Sequence, residues 1–276
     1  MTFATKKTAG PLRISAIVPS YNQAGFIRET LDSILSQGYP HLEVIVVDGL
    51  STDGTQDVLA GYGDRIQWIS EKDAGQSDAL NKGLRKATGD IIAWLNSDDT
   101  YEPGAFLTVA QYFSDHTDCQ WLFGKCRIMD VSGKEIRKWV TAYKNFFLRR
   151  YSYDRLLIQN TISQMATFFR KSAAVEAGYI NAGHDFAMDY DLWLRLGRKY
   201  KPAFIDRYLG RFRLHPSSKS TLSSHRIFSD DYAVAQKYGS GKKHLLFLHT
   251  LFHVAISLLY PVLHILDSIG KRFHQR

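Results

Sequence analysis

Between residues 13 and 95, short segments rich in β-branched and aromatic residues alternate with segments whose apolar positions recur at helical spacing. The first pattern predicts buried strands and the second predicts amphipathic helices. Four strands alternating with three helices are typical of a Rossmann-like half domain. In chain order, the predicted elements are strand 13–19, helix 26–37, strand 41–48, helix 55–60, strand 65–70, helix 77–86 and strand 91–95.

All four predicted strands end in polar residues, which are Ser20-Tyr21-Asn22, Asp48, Glu71-Lys72-Asp73 and Asn96-Ser97-Asp98-Asp99. In open α/β sheets, ligands bind at the carboxyl ends of the strands. Hard oxygen ligands there suit Mg²⁺ or Mn²⁺, and such ions usually also hold a substrate's phosphates. The alternative is a set of polar turns, because Asn, Ser and Asp favour turns. The chain has no Gly-x-Gly-x-x-Gly or Gly-x-x-x-x-Gly-Lys-Ser/Thr motif, which argues against dinucleotide dehydrogenases and P-loop enzymes.

Beyond residue 100 the pattern predicts helices and strands in a less regular order. Aromatic and basic residues interleave over 141–155, which favours a helix packed on the sheet with arginines reaching solvent, and stacking of nucleobases or sugars is the alternative. Asp189 lies at a helix start, where it either caps the helix or acts as a positioned base. The other predicted elements are helix 102–113, strand 119–130, a turn at 131–134, a return strand at 135–140, strand 164–170, helix 173–178 and strand 204–214.

Charge is unevenly distributed along the 276 residues, although the net charge is only +8. Residues 1–120 carry 9 Lys/Arg and 16 Asp/Glu, whereas the remainder carries 26 and 11. An acidic first half and a basic second half predict a partner that is anionic. The cytoplasmic membrane leaflet or a phosphorylated lipid ranks above nucleic acid, because no nucleic-acid-binding motif is present. We therefore expect no nucleic-acid partner.

The C-terminal segment Leu245 to Leu266 has no charged residue and is flanked by lysines and arginines. A helical pair lying in the membrane interface is the preferred interpretation, and a helix packed on the domain is the alternative. Cys119 and Cys126 form no disulfide framework and residues 1–12 have no secretory pattern, so we expect a cytoplasmic protein, peripheral on the inner face of the membrane. The predicted divisions are a loose tail (1–12), a nucleotide-binding half (13–120), a catalytic half of the same domain (121–222) and a helical extension (223–276).

In order and spacing, a set of motifs resembles the family 2 glycosyltransferases of the GT-A fold. The resemblance runs from Ile14 to about Ser220 and implies an α/β fold with a mixed, mostly parallel sheet flanked by helices. The motifs are Val18-Pro19-Ser20-Tyr21-Asn22, Val47-Asp48-Gly49-Leu50-Ser51-Thr52-Asp53-Gly54-Thr55, Ser70-Glu71-Lys72-Asp73-Ala74-Gly75-Gln76, Asn81-Lys82-Gly83, Ala87-Thr88-Gly89-Asp90, Asn96-Ser97-Asp98-Asp99 and Asp189-Tyr190-Asp191-Leu192-Trp193-Leu194-Arg195.

The resemblance also implies roles for single residues. Asn96-Ser97-Asp98 occupies the family's Asp-x-Asp position, where Asp98 would bind a divalent cation, Mn²⁺ or Mg²⁺, and His215 would join it. Asp189 falls on the position of the catalytic base, although Met188 replaces the Glu that often precedes it. The expected contacts to the nucleotide-sugar donor are Pro19, Tyr21, Asn22, Asp48, Asp73, Asn81, Lys82, Asn96 and Asp99.

The implied activity is transfer of a sugar from a nucleoside-diphosphate sugar to a hydroxyl of a saccharide or lipid-linked acceptor, with inversion. Members of the family commonly act in bacterial surface polysaccharide or lipopolysaccharide synthesis, so that pathway class is expected by analogy. A sugar-nucleotide-binding protein of the same fold with weak catalysis is the alternative, and Asn96 and Met188 permit it. A nucleotidyltransferase is less favoured, because Tyr21-Asn22-Gln23-Ala24-Gly25 is not a basic glycine-rich phosphate loop.

Overall fold

Nine strands form one sheet in the computed structural model, which describes residues 10–219 and 224–273, with side chains described over 10–219 and 226–258. Residues 1–9 of the predicted tail (1–12) therefore lie outside the described residues. Along the sheet the order is β3-β2-β1-β4-β8-β6-β9-β5, and β7 pairs with β6. The strands are β1 (Ile14–Ser20), β2 (Leu42–Asp48), β3 (Gln67–Ser70), β4 (Ile91–Trp94), β5 (Thr100–Tyr101), β6 (Trp121–Met129), β7 (Glu135–Ile136), β8 (Thr167–Arg170) and β9 (Ala203–Arg213).

The two longest ladders, β1–β2 and β6–β9, are parallel, as are β2–β3 and β1–β4. β8 runs antiparallel to both β4 and β6, and it thereby joins the two predicted halves into one sheet. The predicted α/β class with a mixed, mostly parallel sheet is confirmed. The strand order places the carboxyl ends of β1 to β4 side by side.

Helices cover both faces of this sheet, which explains why its central strands are apolar without interruption. One core contains Ile17, Leu157 and Trp193, and the other contains Val18, Leu31 and Phe106. The helices are α1 (Ile27–Leu35), α2 (Thr55–Ala60), α3 (Gln76–Lys86), α4 (Ala105–Asp115), α5 (Lys138–Leu148), α6 (Tyr153–Ile158), α7 (Lys171–Glu176), α8 (Met188–Lys199), α9 (Ser224–Tyr238) and α10 (Lys243–Phe273), with 3-10 turns at Gly63–Arg65 and Gln164–Ala166.

The segment after β6 departs from the prediction in part. The return strand β7 has only two residues, because α5 begins at Lys138 rather than after Val140. Helix α5 lies beside β6, and the ring of Tyr151 lies 5.7 Å from that of Phe123 in β6, as the predicted packing requires. Tyr143 and Phe146 are instead exposed, so their rings do not pack on the sheet.

The predicted helical pair within 245–266 is also wrong, because α10 is one helix that continues through Pro261. Its first turns pack on α6, where Leu245 is buried and the His249 ring lies 2.8 Å from the Leu157 carbonyl. Within the described part of the chain, no helix combines the length and apolarity needed to cross a membrane.

Gly210 tests how closely β9 approaches the 3-10 turn at Gln164–Ala166. A Cβ at this position would lie 2.4 Å from the Met165 carbonyl oxygen, which is backbone and cannot turn aside. We expect Gly210→Ala to lower the free energy of unfolding by about 1–3 kcal/mol, as overpacking typically does. Gly25→Ala is the matched control in open space, and equal urea midpoints for the two variants would contradict the close approach.

Candidate active site

The ends of β1 and β2 are joined by hydrogen bonds through the loop that follows β2. Asp48 is fully buried and accepts hydrogen bonds from the Ser51 amide at 3.0 Å and from the Ser70 hydroxyl at 2.6 Å. Asn22, in the left-handed region at φ 52°, accepts a hydrogen bond from the Thr52 amide at 2.9 Å. Asp48 and Asn22, which were predicted to contact the nucleotide-sugar donor, thus hold the backbone at the ends of β1 and β2 in place.

Beside this network, the predicted base and ribose residues line an open edge. A Cβ added to Gly49 would lie 2.7 Å from Asp73 Oδ2 and 3.4 Å from Tyr21 Cδ2, so the three residues adjoin one another. The Tyr21 side chain is 63% exposed, whereas Pro19 is buried within β1. An exposed ring next to a carboxylate offers a stacking surface and a hydrogen-bond acceptor to a planar polar ligand.

The start of α3 connects the polar segment after β4 to the start of α8. The side-chain amide of Gln76 donates to Asn96 Oδ1 at 2.8 Å, and the Trp94 indole N–H donates to the same oxygen at 3.0 Å. The adjacent Ser77 hydroxyl donates to the Met188 sulfur at 3.4 Å. Asn96 and Met188, the two departures from the family pattern, therefore contact neighbouring residues of one helix turn.

Asp98 and His215 form a pair that fits one edge of a divalent cation's ligand shell. Asp98 Oδ2 and His215 Nε2 lie 3.0 Å apart, and the His215 Nδ1 atom is 2.9 Å from the Ser217 hydroxyl. A fixed second nitrogen orients a ligating imidazole. Over the described residues, no group of three or more His, Cys, Asp or Glu side chains could hold a metal. A cation here would complete its shell with oxygens from substrate or water, as Mg²⁺ does at phosphate sites.

Arg213 holds the backbone of the segment that contains Asp98. Its side chain is fully buried, its Nε donates to the Asp98 carbonyl at 2.8 Å, and its backbone N–H donates to Asp99 Oδ1 at 2.8 Å. An ion pair of 2.5 Å to Glu29 balances its charge. Asp99 is itself fully buried, and burial together with the neighbouring Asp98 raises its pKa well above the usual range.

Asp189 begins α8, and a lysine from α5 faces it. Its carboxylate accepts a hydrogen bond from the Tyr190 amide at 2.7 Å. Burial raises the pKa of Asp189, and the Tyr190 hydrogen bond and the Lys144 ammonium oppose that rise. Lys144 donates to the Ser163 hydroxyl at 2.8 Å, and burial lowers its pKa. A carboxylate with a raised pKa beside a cation is suited to accept a proton near neutral pH.

Helix α9 adds two carboxylates behind Asp189. Asp230 accepts a hydrogen bond from the Phe186 amide at 3.2 Å, which ties α9 to the loop before α8. Burial, followed by repulsion from Asp189 and Asp230, raises the pKa of Asp231 well above the usual range. Burial thus disfavours the ionised form of Asp231 near the candidate base.

Two other residues predicted to contact the nucleotide-sugar donor, Asn81 and Lys82, form hydrogen bonds within the protein. The Asn81 side chain donates to the Ile180 carbonyl and accepts from the Ile180 amide, both at 2.9 Å. Lys82 lies 3.0 Å from Glu71 and donates to the Lys72 carbonyl at 2.9 Å. Direct contacts of Asn81, Lys82 and the buried Asp99 with a donor stay predictions.

Four residues at the site were absent from the sequence-based set: Gln76, Lys144, Arg213 and Asp231. A signal existed for Arg213, because it is a charged residue two positions before His215 at the end of an otherwise identifiable strand. Lys144 and Asp231 gave no signal, since each lies outside every recognised motif and is indistinguishable in sequence from an ordinary surface charge. Gln76 lay within a motif but was assigned no role.

Comparisons with known proteins agree with this architecture. The family model "Glycosyl transferase family 2" matches residues 15–175, more than half of the chain. TuaG of Bacillus subtilis, assigned to teichuronic acid biosynthesis as a glycosyltransferase, is 31% identical over 216 residues, covering 75% of this chain and 81% of TuaG. An uncharacterized glycosyltransferase of Rickettsia felis is 28% identical over 77% of this chain, but the chain spans only 36% of that relative's length.

Among solved structures, the mannosyltransferase PcManGT of Pyrobaculum calidifontis, in complex with GDP-Man and Mn²⁺, superposes with a TM-score of 0.65. The two share 20% sequence identity, and the match covers 96% of this chain and 81% of that one, which supports a common fold. From the family model, together with the strand order and the site at the ends of β1 to β4, the chain belongs to glycosyl transferase family 2.

Proposed function

We propose that this protein is an inverting glycosyltransferase that moves a sugar from a nucleoside-diphosphate sugar to an acceptor hydroxyl. One observation carries the proposal: the first turn of α3 contacts both the segment containing the Asp98–His215 pair and the start of the helix carrying Asp189. The proposed diphosphate-binding edge and the proposed base thus flank the same helix turn. A fold kept only for binding would not need a carboxylate there with a raised pKa.

Asp189 would remove the proton from the acceptor hydroxyl as that oxygen attacks the anomeric carbon. A sugar hydroxyl is a weak nucleophile at neutral pH, and a positioned base typically contributes about 10²–10⁴-fold. Burial and the nearby Asp189 raise the pKa of Asp231, which disfavours the ionised form that a second nucleophile would need. With Asp189 as the base and no covalent intermediate, direct displacement would give a product of inverted configuration.

Asp98 and His215 would hold the divalent cation, Mn²⁺ or Mg²⁺. When bound, such a cation offsets the charge that builds on the leaving diphosphate, an effect worth several kcal/mol. Arg213 keeps the Asp98 backbone in place through its 2.8 Å hydrogen bond to the Asp98 carbonyl. Tyr21 and Asp73 would receive the nucleoside, because they line the open edge beside β1 and β2.

The acceptor we propose is a saccharide or a lipid-linked saccharide of a bacterial surface polysaccharide or lipopolysaccharide. The relationship to TuaG, a protein assigned to teichuronic acid biosynthesis, supports this class of product. The basic second half of the chain suits an acceptor with an anionic lipid carrier. Such an enzyme would work in the cytoplasm, peripheral to the inner face of the membrane.

Replacing the Asp189 and Asp191 carboxylates of α8 one at a time distinguishes a loss of catalysis from a loss of stability. We expect Asp189→Asn to lower kcat by about 10²–10⁴-fold while donor affinity and melting temperature stay near wild type, because only the base is lost. Asp191→Asn is the matched control two residues away, where the carboxylate instead pairs with Arg195 and accepts a hydrogen bond from the Tyr238 hydroxyl at 2.8 Å. It should lower stability instead. Full turnover in Asp189→Asn would refute the assignment.

The pH profile tests the electrostatic link between Lys144 and Asp189. Since the base must be ionised, activity is lost as pH falls through the pKa of Asp189, which burial has raised. Lys144→Met removes a charge that opposes this rise, so the acid limb of kcat should move to higher pH. Lys134→Met, at an exposed turn, should leave the limb in place. An unchanged or lowered limb in Lys144→Met contradicts the link.

Donor binding tests the metal assignment. Thermal shifts with UDP, GDP and dTDP sugars should show one nucleotide class that stabilises the wild type more strongly with Mn²⁺ than without it. Asp98→Asn should lose the Mn²⁺-dependent part, because a neutral amide is a poorer ligand than a carboxylate. Asp118→Asn, on an exposed turn, is the control. The same Mn²⁺ response in Asp98→Asn and wild type would rule out Asp98 as the ligand.

A further inference from the structure

Helix α10 has an apolar face opposite the one that packs on the protein. Leu245 and His249 are buried against the domain. Phe247, Leu251, Val254 and Leu258 recur at helical spacing on the other side, and Leu258 is 72% exposed. A helix that is apolar all round is normally buried on all sides. This outer face therefore calls for a partner that covers it.

Helix α5 presents a second exposed apolar face close to the first. The exposed side chains of Trp139, Tyr143 and Phe146 lie three or four residues apart and therefore share one face of the helix. The Phe146 ring contacts Phe147 at 5.2 Å between centroids, and the Arg150 guanidinium lies 4.0 Å from the Phe146 ring centroid. Exposed Trp and Tyr next to arginine are typical of protein surfaces at the boundary between lipid headgroups and acyl chains.

A cavity connects the two helices. It has a volume of about 180 Å³, and Phe147 of α5 and Phe252 of α10 both contribute to its wall. The α6 residues Leu156 and Ile158 line it from below, and Arg155 supplies a cation. Helices α5 and α10 therefore border the same apolar hollow, next to a positive charge.

The charge around this surface is positive. Residues 137–158, which include α5 and α6, contain six Lys or Arg and one Asp. Lys138, Arg150 and Arg155 are exposed there, and Lys243 is exposed at the start of α10. Asp206 pairs with Arg149, and Asp154 pairs with Lys242. These two carboxylates offset two cations and leave the other lysines and arginines of this surface in excess. A second copy of the same basic surface would repel it, whereas an anionic lipid surface would attract it.

We propose that the surface formed by α5, α6 and the first half of α10 docks the protein on an anionic lipid bilayer. The apolar stripe of α10 and the rings of α5 would enter the boundary between headgroups and acyl chains, and the cavity would admit part of one acyl chain. Lysines and arginines at the rim would contact the headgroups. This proposal rests on the proposed function for the location at the membrane, and it adds the surface that binds the lipid. Binding to lipid does not depend on turnover.

Co-sedimentation with vesicles tests the apolar part of this surface. The full chain should bind vesicles of phosphatidylcholine mixed with phosphatidylglycerol and bind pure phosphatidylcholine weakly. The double variant Leu251→Glu/Leu258→Glu should bind the anionic vesicles at least about tenfold more weakly, because two apolar anchors are lost. Leu107→Glu is the matched control, since Leu107 is 64% exposed on α4, which packs on the other face of the sheet.

The basic part is tested by Arg150→Gln and Arg155→Gln, each expected to weaken binding about fivefold, and by added salt, which should weaken it further. Arg28→Gln on α1 is the control. Absent binding of the wild type, or equal loss in Leu107→Glu, overturns the proposal. A wild-type dimer that Leu251→Glu/Leu258→Glu converts to a monomer also overturns it, by assigning the surface to a second copy. Transfer to a soluble acceptor without vesicles, assayed in parallel, separates failure of docking from failure of the proposed activity.

Discussion

The buried guanidinium of Arg213 is the interaction on which the site depends. A charged group without exposure to water is costly unless every donor finds a partner. Here its donors reach the Asp98, Asp130 and Val131 carbonyls, and Glu29 supplies the opposite charge. These contacts bring the end of β9, the segment after β4 and the turn after β6 to a single point. Removing the guanidinium would take the hydrogen-bond donor away from the Asp98, Asp130 and Val131 carbonyls at once, so the arrangement is hard to change in part.

Side-chain hydrogen bonds also fix the backbone along the carboxyl ends of the strands. Asp48, Asn22 and Asn96 use their side chains to hold backbone or neighbouring side chains, and they thereby keep the strand ends close to one another. Rigid surroundings leave the reacting groups little freedom, which is how a site fixes geometry before substrate arrives. Asp189 differs from these residues, because burial disfavours its charge whereas a nearby cation favours it. A base needs that balance, since full stabilisation of the carboxylate would remove its affinity for a proton.

Prediction from sequence succeeded where local pattern and tertiary surroundings agree. β1, β2 and β4 are buried on both faces, so their apolar segments and the polar residues after them were visible without a structure. The exposed rings Tyr143 and Phe146 were mispredicted, because aromatic residues usually pack inward and these two do not. Lys144 and Asp231 could not be identified, since their importance arises from approach to Asp189 across more than forty residues of chain. The family model has the same limit, as it ends at residue 175, before Asp189.

The C-terminal helices are continuous with the catalytic core. Val234 of α9 and Leu245 of α10 lie in the same apolar cluster as Trp193 and Leu157, and Tyr238 contacts Asp191 within the helix that carries the base. Cutting the chain before α9 would uncover that cluster and free the base helix at once. The proposed docking surface and the proposed base therefore belong to one cooperative folding unit, so α10 could not be exchanged for another docking element without rebuilding the protein around it.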